Sequence, residues 1–124
     1  MATIEGGRLA GCRVLIVEDE YLLASDFARL LASEGAEAVG PAGTLEEALQ
    51  LIHAAERIDA AIVDLNLREE WAAPAADALA ERNIPFVLAT GYGAENVPDR
   101  LQQAPRWEKP FDPADLIQFL TRFV

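Results

Sequence analysis

Apolar residues along this chain come in two kinds of run, and the two kinds alternate. Residues 14–17, 60–63 and 85–89 are unbroken apolar stretches. That is the pattern of strands buried on both faces, as parallel strands in α/β domains are. Strands are therefore predicted at about 13–17, 59–64 and 85–89. Shorter ones are predicted at 37–40, ending at Pro41, and at 106–108. Between the strands the apolar spacing changes to three and four. Leu23, Phe27, Leu30 and Leu31 predict a helix over about 20–33, which Gly35 is placed to stop in a left-handed conformation. Leu45, Ala48, Leu49 and Ile52 stripe a second helix, opened by Thr44 and Glu47 at capping-box spacing. Pro74 can start a third, running to Arg82. Asp112 and Pro113 cap a last one, with Leu116, Ile117, Leu120, Phe123 and Val124 expected to be buried. Residues 94–105 are the weakest element, because Pro98 and Pro105 leave room for two turns at most, over about 98–103.

Strand and helix thus alternate five times with short connections. This predicts an α/β fold, a doubly wound five-stranded parallel sheet with helices on both faces. Residues 13–124 form one domain in this reading. Residues 1–12 are a loose lead-in, where Gly6, Gly7 and Gly11 weaken any regular structure.

Bulk properties narrow the function classes. A chain of 124 residues with 52% hydrophobic residues can build one sizeable core and is not disordered. Its net charge of −11 argues against nucleic acid or an anionic membrane as a direct partner. No run approaches the ~20 apolar residues that span a bilayer, and the N-terminus lacks the basic start of a signal peptide. A single cysteine, Cys12, cannot form an internal disulfide, which fits a reducing compartment. The expectation is a cytoplasmic protein.

The chemistry gathers where strands end, as it does in open α/β sheets. The first strand empties into Glu18, Asp19 and Glu20; the third ends at Asp64; the fourth ends at Thr90, followed by Gly91, Tyr92 and Gly93; the fifth leads to Lys109 and Pro110. In a parallel sheet all these groups lie along one edge. Glu18, Asp19 and Asp64 brought close together need neutralising. All-oxygen ligands suit a hard divalent cation, usually Mg²⁺, and Lys109 adds a point charge. A carboxylate so placed, beside a threonine hydroxyl, is ready to accept a phosphoryl group as an acyl phosphate.

Glu18-Asp19, Asp64, Thr90 and Lys109-Pro110, in this order at successive strand ends, resemble the receiver domain of bacterial two-component response regulators. The resemblance covers about 13–124. It implies a flavodoxin-like sheet of order 2-1-3-4-5, with Asp64 as phosphoacceptor and Thr90 and Lys109 serving the phosphoryl group. It also implies Mg²⁺ held by the side chains of Asp19 and Asp64 and the backbone carbonyl of Asn66, with Glu18 acting mostly through water. The partner it implies is a sensor histidine kinase or a histidine phosphotransfer protein. A Lys109–Pro110 peptide that is often cis belongs to the same pattern.

Residues 84–93 further resemble the FATGUY subgroup, often single-domain receivers without a DNA-binding output domain, with Leu88 where the nickname has phenylalanine. Many receivers carry an aromatic residue three positions before the lysine, and here Arg106 stands there. Trp107 is adjacent but on a strand faces the other way. The segment 91–105 is therefore the expected moving part.

Two other functions compete with this reading. A Mg²⁺-dependent phosphatase or phosphotransferase of the haloacid dehalogenase type would use the same nucleophile, but such enzymes carry a second aspartate where Asn66 stands. A receiver-shaped adaptor that takes no phosphate would not need all four site groups. The absence of a P-loop pattern removes a nucleotide hydrolase. Glu20 reads as an ordinary first-turn acid, and His53 as a partly exposed structural residue. Cys12 is given no role, Tyr92 reads as a loop aromatic, and Trp71 lies in a charged loop after Asp64.

Overall fold

In the computed structural model, residues 8–68, 70–91 and 97–124 are described. The strands are β1 (Arg13–Val17), β2 (Glu37–Ala42), β3 (Ala60–Val63), β4 (Asn66–Leu67), β5 (Glu70–Trp71), β6 (Phe86–Thr90) and β7 (Arg106–Glu108). The helices are α1 (Tyr21–Ser33), α2 (Leu45–Ala54), α3 (Ala73–Glu81) and α4 (Pro113–Phe123). Five parallel strands form one sheet in the order β2-β1-β3-β6-β7. This is the expected 2-1-3-4-5 arrangement, with the numbers shifted by an extra hairpin.

Period-two alternation divides the core. Leu15, Val17, Ala61, Val63 and Leu88 point to one face, where they join Ala48 and Ile52 of α2 and Ala76 and Leu79 of α3. Val14, Ile16, Ala60, Ile62 and Val87 point to the other, with Phe27 and Leu31 of α1 and Leu116 and Leu120 of α4. A strand sandwiched this way must be apolar at every position, and β3 is buried throughout.

Helix boundaries follow from local chemistry. Thr44 accepts the amide of Glu47 at 3.1 Å, and the Glu47 carboxylate accepts the amide of Gly43 at 2.9 Å. The capping box is thus made, one residue further out than the usual reciprocal bond. Asp112 caps α4 by accepting from the Ala114 amide at 3.0 Å. Gly35 follows α1 at φ 87°, as its position predicted. Pro98 and Pro105 leave a single 3₁₀ turn, Asp99–Leu101, in place of a longer helix.

Several expectations change. The lead-in is not loose at residues 8–12: Leu9 is buried against Phe27 and its neighbours, and its amide donates to the Glu34 carbonyl at 2.8 Å. One apolar side chain seated beneath α1 fixes a stretch whose glycines pointed the other way. The strand β2 continues through Pro41 to Ala42 because it is an edge strand, where proline's missing donor faces away from the ladder. The charged loop after Asp64 closes into the β4–β5 hairpin. Val124 is 46% exposed and Phe123 only partly buried, since α4 ends there and its last turn overhangs the core.

Gly40 makes the β1–β2 contact close. At φ 94°, a Cβ there would stand 2.9 Å from the Ala42 nitrogen and 3.0 Å from the Ile16 carbonyl oxygen. Both obstacles are backbone and neither can swing away. Gly40→Ala is expected to cost about 2 kcal/mol or more, read as a lowered midpoint in urea with an unchanged slope.

Candidate functional site

Sheet register assembles the site. Val17 and Val63 are partners across β1 and β3, so Glu18 and Asp64 leave adjacent strands side by side. The ladder continues into the site, because the Asp64 amide still donates to the Val17 carbonyl at 2.8 Å. On the other side β6 and β7 pair as far as Thr90 and Glu108. The Lys109 amide then donates to the Thr90 carbonyl at 2.8 Å. Lys109 is therefore fixed at its backbone, followed by a cis peptide to Pro110 as the resemblance implied.

From there its ammonium reaches three carboxylates. Nζ donates to Glu20 Oε2 at 2.6 Å, to Asp64 Oδ2 at 2.9 Å and to Glu18 Oε2 at 3.2 Å. Glu18, Asp64 and Thr90 are all buried. The Asn66 amide donates to Asp64 Oδ1 at 2.9 Å, so both acceptor oxygens are oriented. The Glu20 amide does the same for Glu18 Oε2 at 3.1 Å.

Burial of this much charge has a cost. Desolvation, with Asp64 beside it, pushes the Glu18 carboxyl up to about 7. Burial raises Asp64 too, against the lowering effect of the Asn66 amide and Lys109. For Lys109 burial pulls downward, but hydrogen bonds to Glu20 and Asp64 prevail and hold the ammonium above the usual lysine range. Three acids against one base leave the pocket short of positive charge.

The residues fit a divalent cation. Ligand oxygens of Glu18, Glu20 and Asp64 lie within 4.8 Å of one another. Glu18 Oε1 is buried with no hydrogen-bond partner among the described residues. An orphaned carboxylate oxygen in an acidic pocket is a position that a cation satisfies.

The hairpin contributes as well. The Ala72 amide bonds the Leu65 carbonyl at 2.7 Å, and antiparallel pairs alternate between bonded and unbonded. Asn66 and Trp71, the next pair, are thus unbonded, and the Asn66 carbonyl is turned from β5 to the side where its amide meets Asp64.

Two carboxylates stand differently from expectation. Asp19 Oδ2 is paired with Arg68 Nε at 3.1 Å, away from Lys109. Glu20, read as a first-turn acid, makes no side-chain cap for α1 and turns to Lys109. It holds the N-cap position of α1, but its carboxylate pairs with Lys109 instead of the helical amides. Its signal in the sequence was the third consecutive acid at a strand end, which local reasoning assigns to the helix dipole.

Opposite faces of β7 separate Arg106 from Trp107 as predicted. Arg106 is exposed, whereas Trp107 packs on Phe111 and Phe119 with ring centroids 5.9 Å apart in each case. His53 is exposed on α2. Tyr92 and Gly93 lie outside the described residues. Of the expected moving segment, Val97 and Leu101 are buried, and Arg100 makes two hydrogen bonds, 2.8 and 2.9 Å, to the carboxylate of Asp77 on α3.

The family model for the response regulator receiver domain matches residues 14–121. Transcriptional regulatory protein PdtaR of Mycobacterium tuberculosis is 36% identical over 109 residues, covering 85% of this chain and 53% of its own length. The chain thus spans about half the length of that curated relative. The solution structure of SdrG from Sphingomonas melonis Fr1 is 38% identical, covers 91% of this chain and 97% of that one, and superposes with a TM-score of 0.75. A second solution structure of SdrG, in its BeF3-activated conformation, covers 93% and 98% with a TM-score of 0.71. A CheY-like response regulator receiver domain protein from Methanospirillum hungatei JF-1 is 27% identical, covers 90% and 92%, and gives a TM-score of 0.78.

Proposed function

Because this chain belongs to the response regulator receiver domain family of two-component signalling, we propose that it is switched by phosphorylation of Asp64. The donor is a sensor histidine kinase or a histidine phosphotransfer protein, and the modified face changes affinity for a protein partner. The observation that carries this is the convergence of Lys109 on Asp64 and Glu18 from strands far apart in sequence.

The residues divide the work. A carboxylate oxygen of Asp64 forms a new bond to phosphorus as the bond from phosphorus to the donor breaks, and the donor leaves with that electron pair. Lys109 offsets charge on the phosphoryl oxygens, and the Thr90 hydroxyl at the end of β6 takes one of them. Glu18, Asp64, the Asn66 carbonyl and Asp19, once released from Arg68, would hold Mg²⁺. When bound, that ion supplies further charge neutralisation for the same oxygens. Catalysis is limited to the protein's own phosphorylation and hydrolysis. SdrG, in its BeF3-activated form, lends support from a relative. The net charge of −11 disfavours direct contact with nucleic acid or anionic membrane. Among the described residues no helix is long and apolar enough to cross a membrane.

A turnover phosphatase is the weaker reading. It requires a general acid two residues past the nucleophile, and the Asn66 side chain cannot supply a proton. Incubation with Mg²⁺ and acetyl phosphate, followed by intact mass measurement, separates these readings. A single phosphoryl adduct is expected. Continued turnover without adduct would favour the phosphatase, and neither adduct nor Mg²⁺ binding would favour an inert adaptor.

Asp19 must leave Arg68 to reach the ion. Arg68 is 80% exposed in its side chain, and such a pair is worth up to about 1 kcal/mol. Arg68 sits at φ 52°, a conformation asparagine tolerates. Arg68→Asn is therefore expected to tighten Mg²⁺ binding by about two- to five-fold, measured by calorimetric titration. Weaker binding would show that Arg68 supports the site.

A further inference from the structure

We infer that Glu20 is a positioning residue, a displaceable stopper that occupies one donor of Lys109 until a phosphoryl oxygen replaces it. This rests on the reading of Asp64 as phosphoacceptor and deepens it.

An ammonium has three donors and no acceptor. All three of Lys109 are engaged, by Glu18, Glu20 and Asp64. A fourth acceptor can bind only if one of these lets go. The three acids are not equally able to do so. Glu18 is fully buried in its side chain and receives the Glu20 amide. Asp64 is 3% exposed in its side chain and receives the Asn66 amide.

Glu20 is 61% exposed in its side chain and makes the shortest of the three contacts, 2.6 Å. Among the described residues Lys109 is the partner of its carboxylate. It can turn into water and regain full hydration, whereas the other two would each lose charge pairing in a buried place. The exchange that admits phosphate therefore runs through Glu20. A carboxylate at this point also opposes an approaching phosphoryl donor, which is itself anionic. Helix α1 takes no side-chain cap from Glu20, so Glu20→Gln removes none, whereas an aspartate there is short enough to accept from the first helical amides and so turn from Lys109.

The test compares wild type, Glu20→Gln and Glu20→Asp with acetyl phosphate and saturating Mg²⁺. Transfer forms the Asp64 oxygen–phosphorus bond and releases acetate, and adduct is followed by intact mass against time. Glu20→Asp keeps the charge but is one methylene short of Lys109; Glu20→Gln keeps the reach but weakens the bond. Both are expected to phosphorylate roughly three- to ten-fold faster than wild type, with a melting temperature within a few degrees of it.

A second readout does not depend on activity. The ¹⁵Nζ resonance of Lys109 in both unphosphorylated variants is expected to lie nearer its position in the wild-type complex with BeF3 and Mg²⁺. Equal rates in all three proteins, slower uptake in either variant, or a faster Glu20→Gln with Glu20→Asp like wild type would overturn the inference. No adduct on wild type would overturn the phosphoacceptor reading itself, and the inference with it.

Discussion

Asp64→Asn is expected to remain folded and to take up phosphoryl groups at least about a thousand-fold more slowly than wild type. The side chain is the nucleophile in the proposed reaction, and a neutral amide oxygen is far less nucleophilic than a carboxylate. Of its contacts only the bond from Lys109 to Oδ2 is lost, because the amide nitrogen that takes that place cannot accept. The Asn66 amide keeps an oxygen to donate to in place of Asp64 Oδ1, and the ladder bond from residue 64 to Val17 is backbone. Stability is expected to hold or rise. The fold pushes the Asp64 carboxyl up through burial, which means that it disfavours the charged form. Intact mass under acetyl phosphate and Mg²⁺ reads the first effect, and a thermal melt reads the second. Undiminished adduct in the variant would move the acceptor elsewhere.

Glu18 gives the other large effect, on stability. Its carboxyl is raised from 4.5 to about 7. A folded state with a raised pKa binds more protons than the unfolded chain between those values. Its contribution is therefore complete below pH 4.5 and is lost as pH rises through about 7. At 1.36 kcal/mol per unit the loss is about 3 kcal/mol, or roughly 10 °C in melting temperature for a domain of this size. Lys109, whose pKa is raised, titrates far above this window.

In the absence of divalent cation, the melting temperature is expected to fall between pH 5 and 7.5. Excess Mg²⁺ should flatten that slope, since proton and cation compete for the same carboxylates. Glu18→Gln should reduce it without Mg²⁺, leaving the part that the raised Asp64 carboxyl contributes. A level profile for the cation-free wild type would mean that Glu18 is not the strained acid of this pocket.

The sequence by itself determined the sheet, most of the helix ends and the groups at the strand ends. Those depend on short-range rules: both-face burial makes a strand such as β3 apolar throughout, Thr44 and Glu47 declare a capping box, and Pro98 and Pro105 forbid a long helix. Parallel pairing then forces Glu18, Asp64, Thr90 and Lys109 to one edge, wherever their side chains turn.

Only the tertiary structure decided the partners of each charge. Glu20 looked local because it adjoins a helix, and its partner lies 89 residues away. Asp19 meets Arg68 because the chain past Asp64 folds back as a hairpin too short to leave an alternating pattern. Leu9 is buried because α1 offers it a seat, something a glycine-flanked leucine cannot announce. A local pattern is written in neighbouring residues. A salt bridge is chosen by distances that exist only after the sheet has formed, and three acids compete for one lysine only when it brings them together.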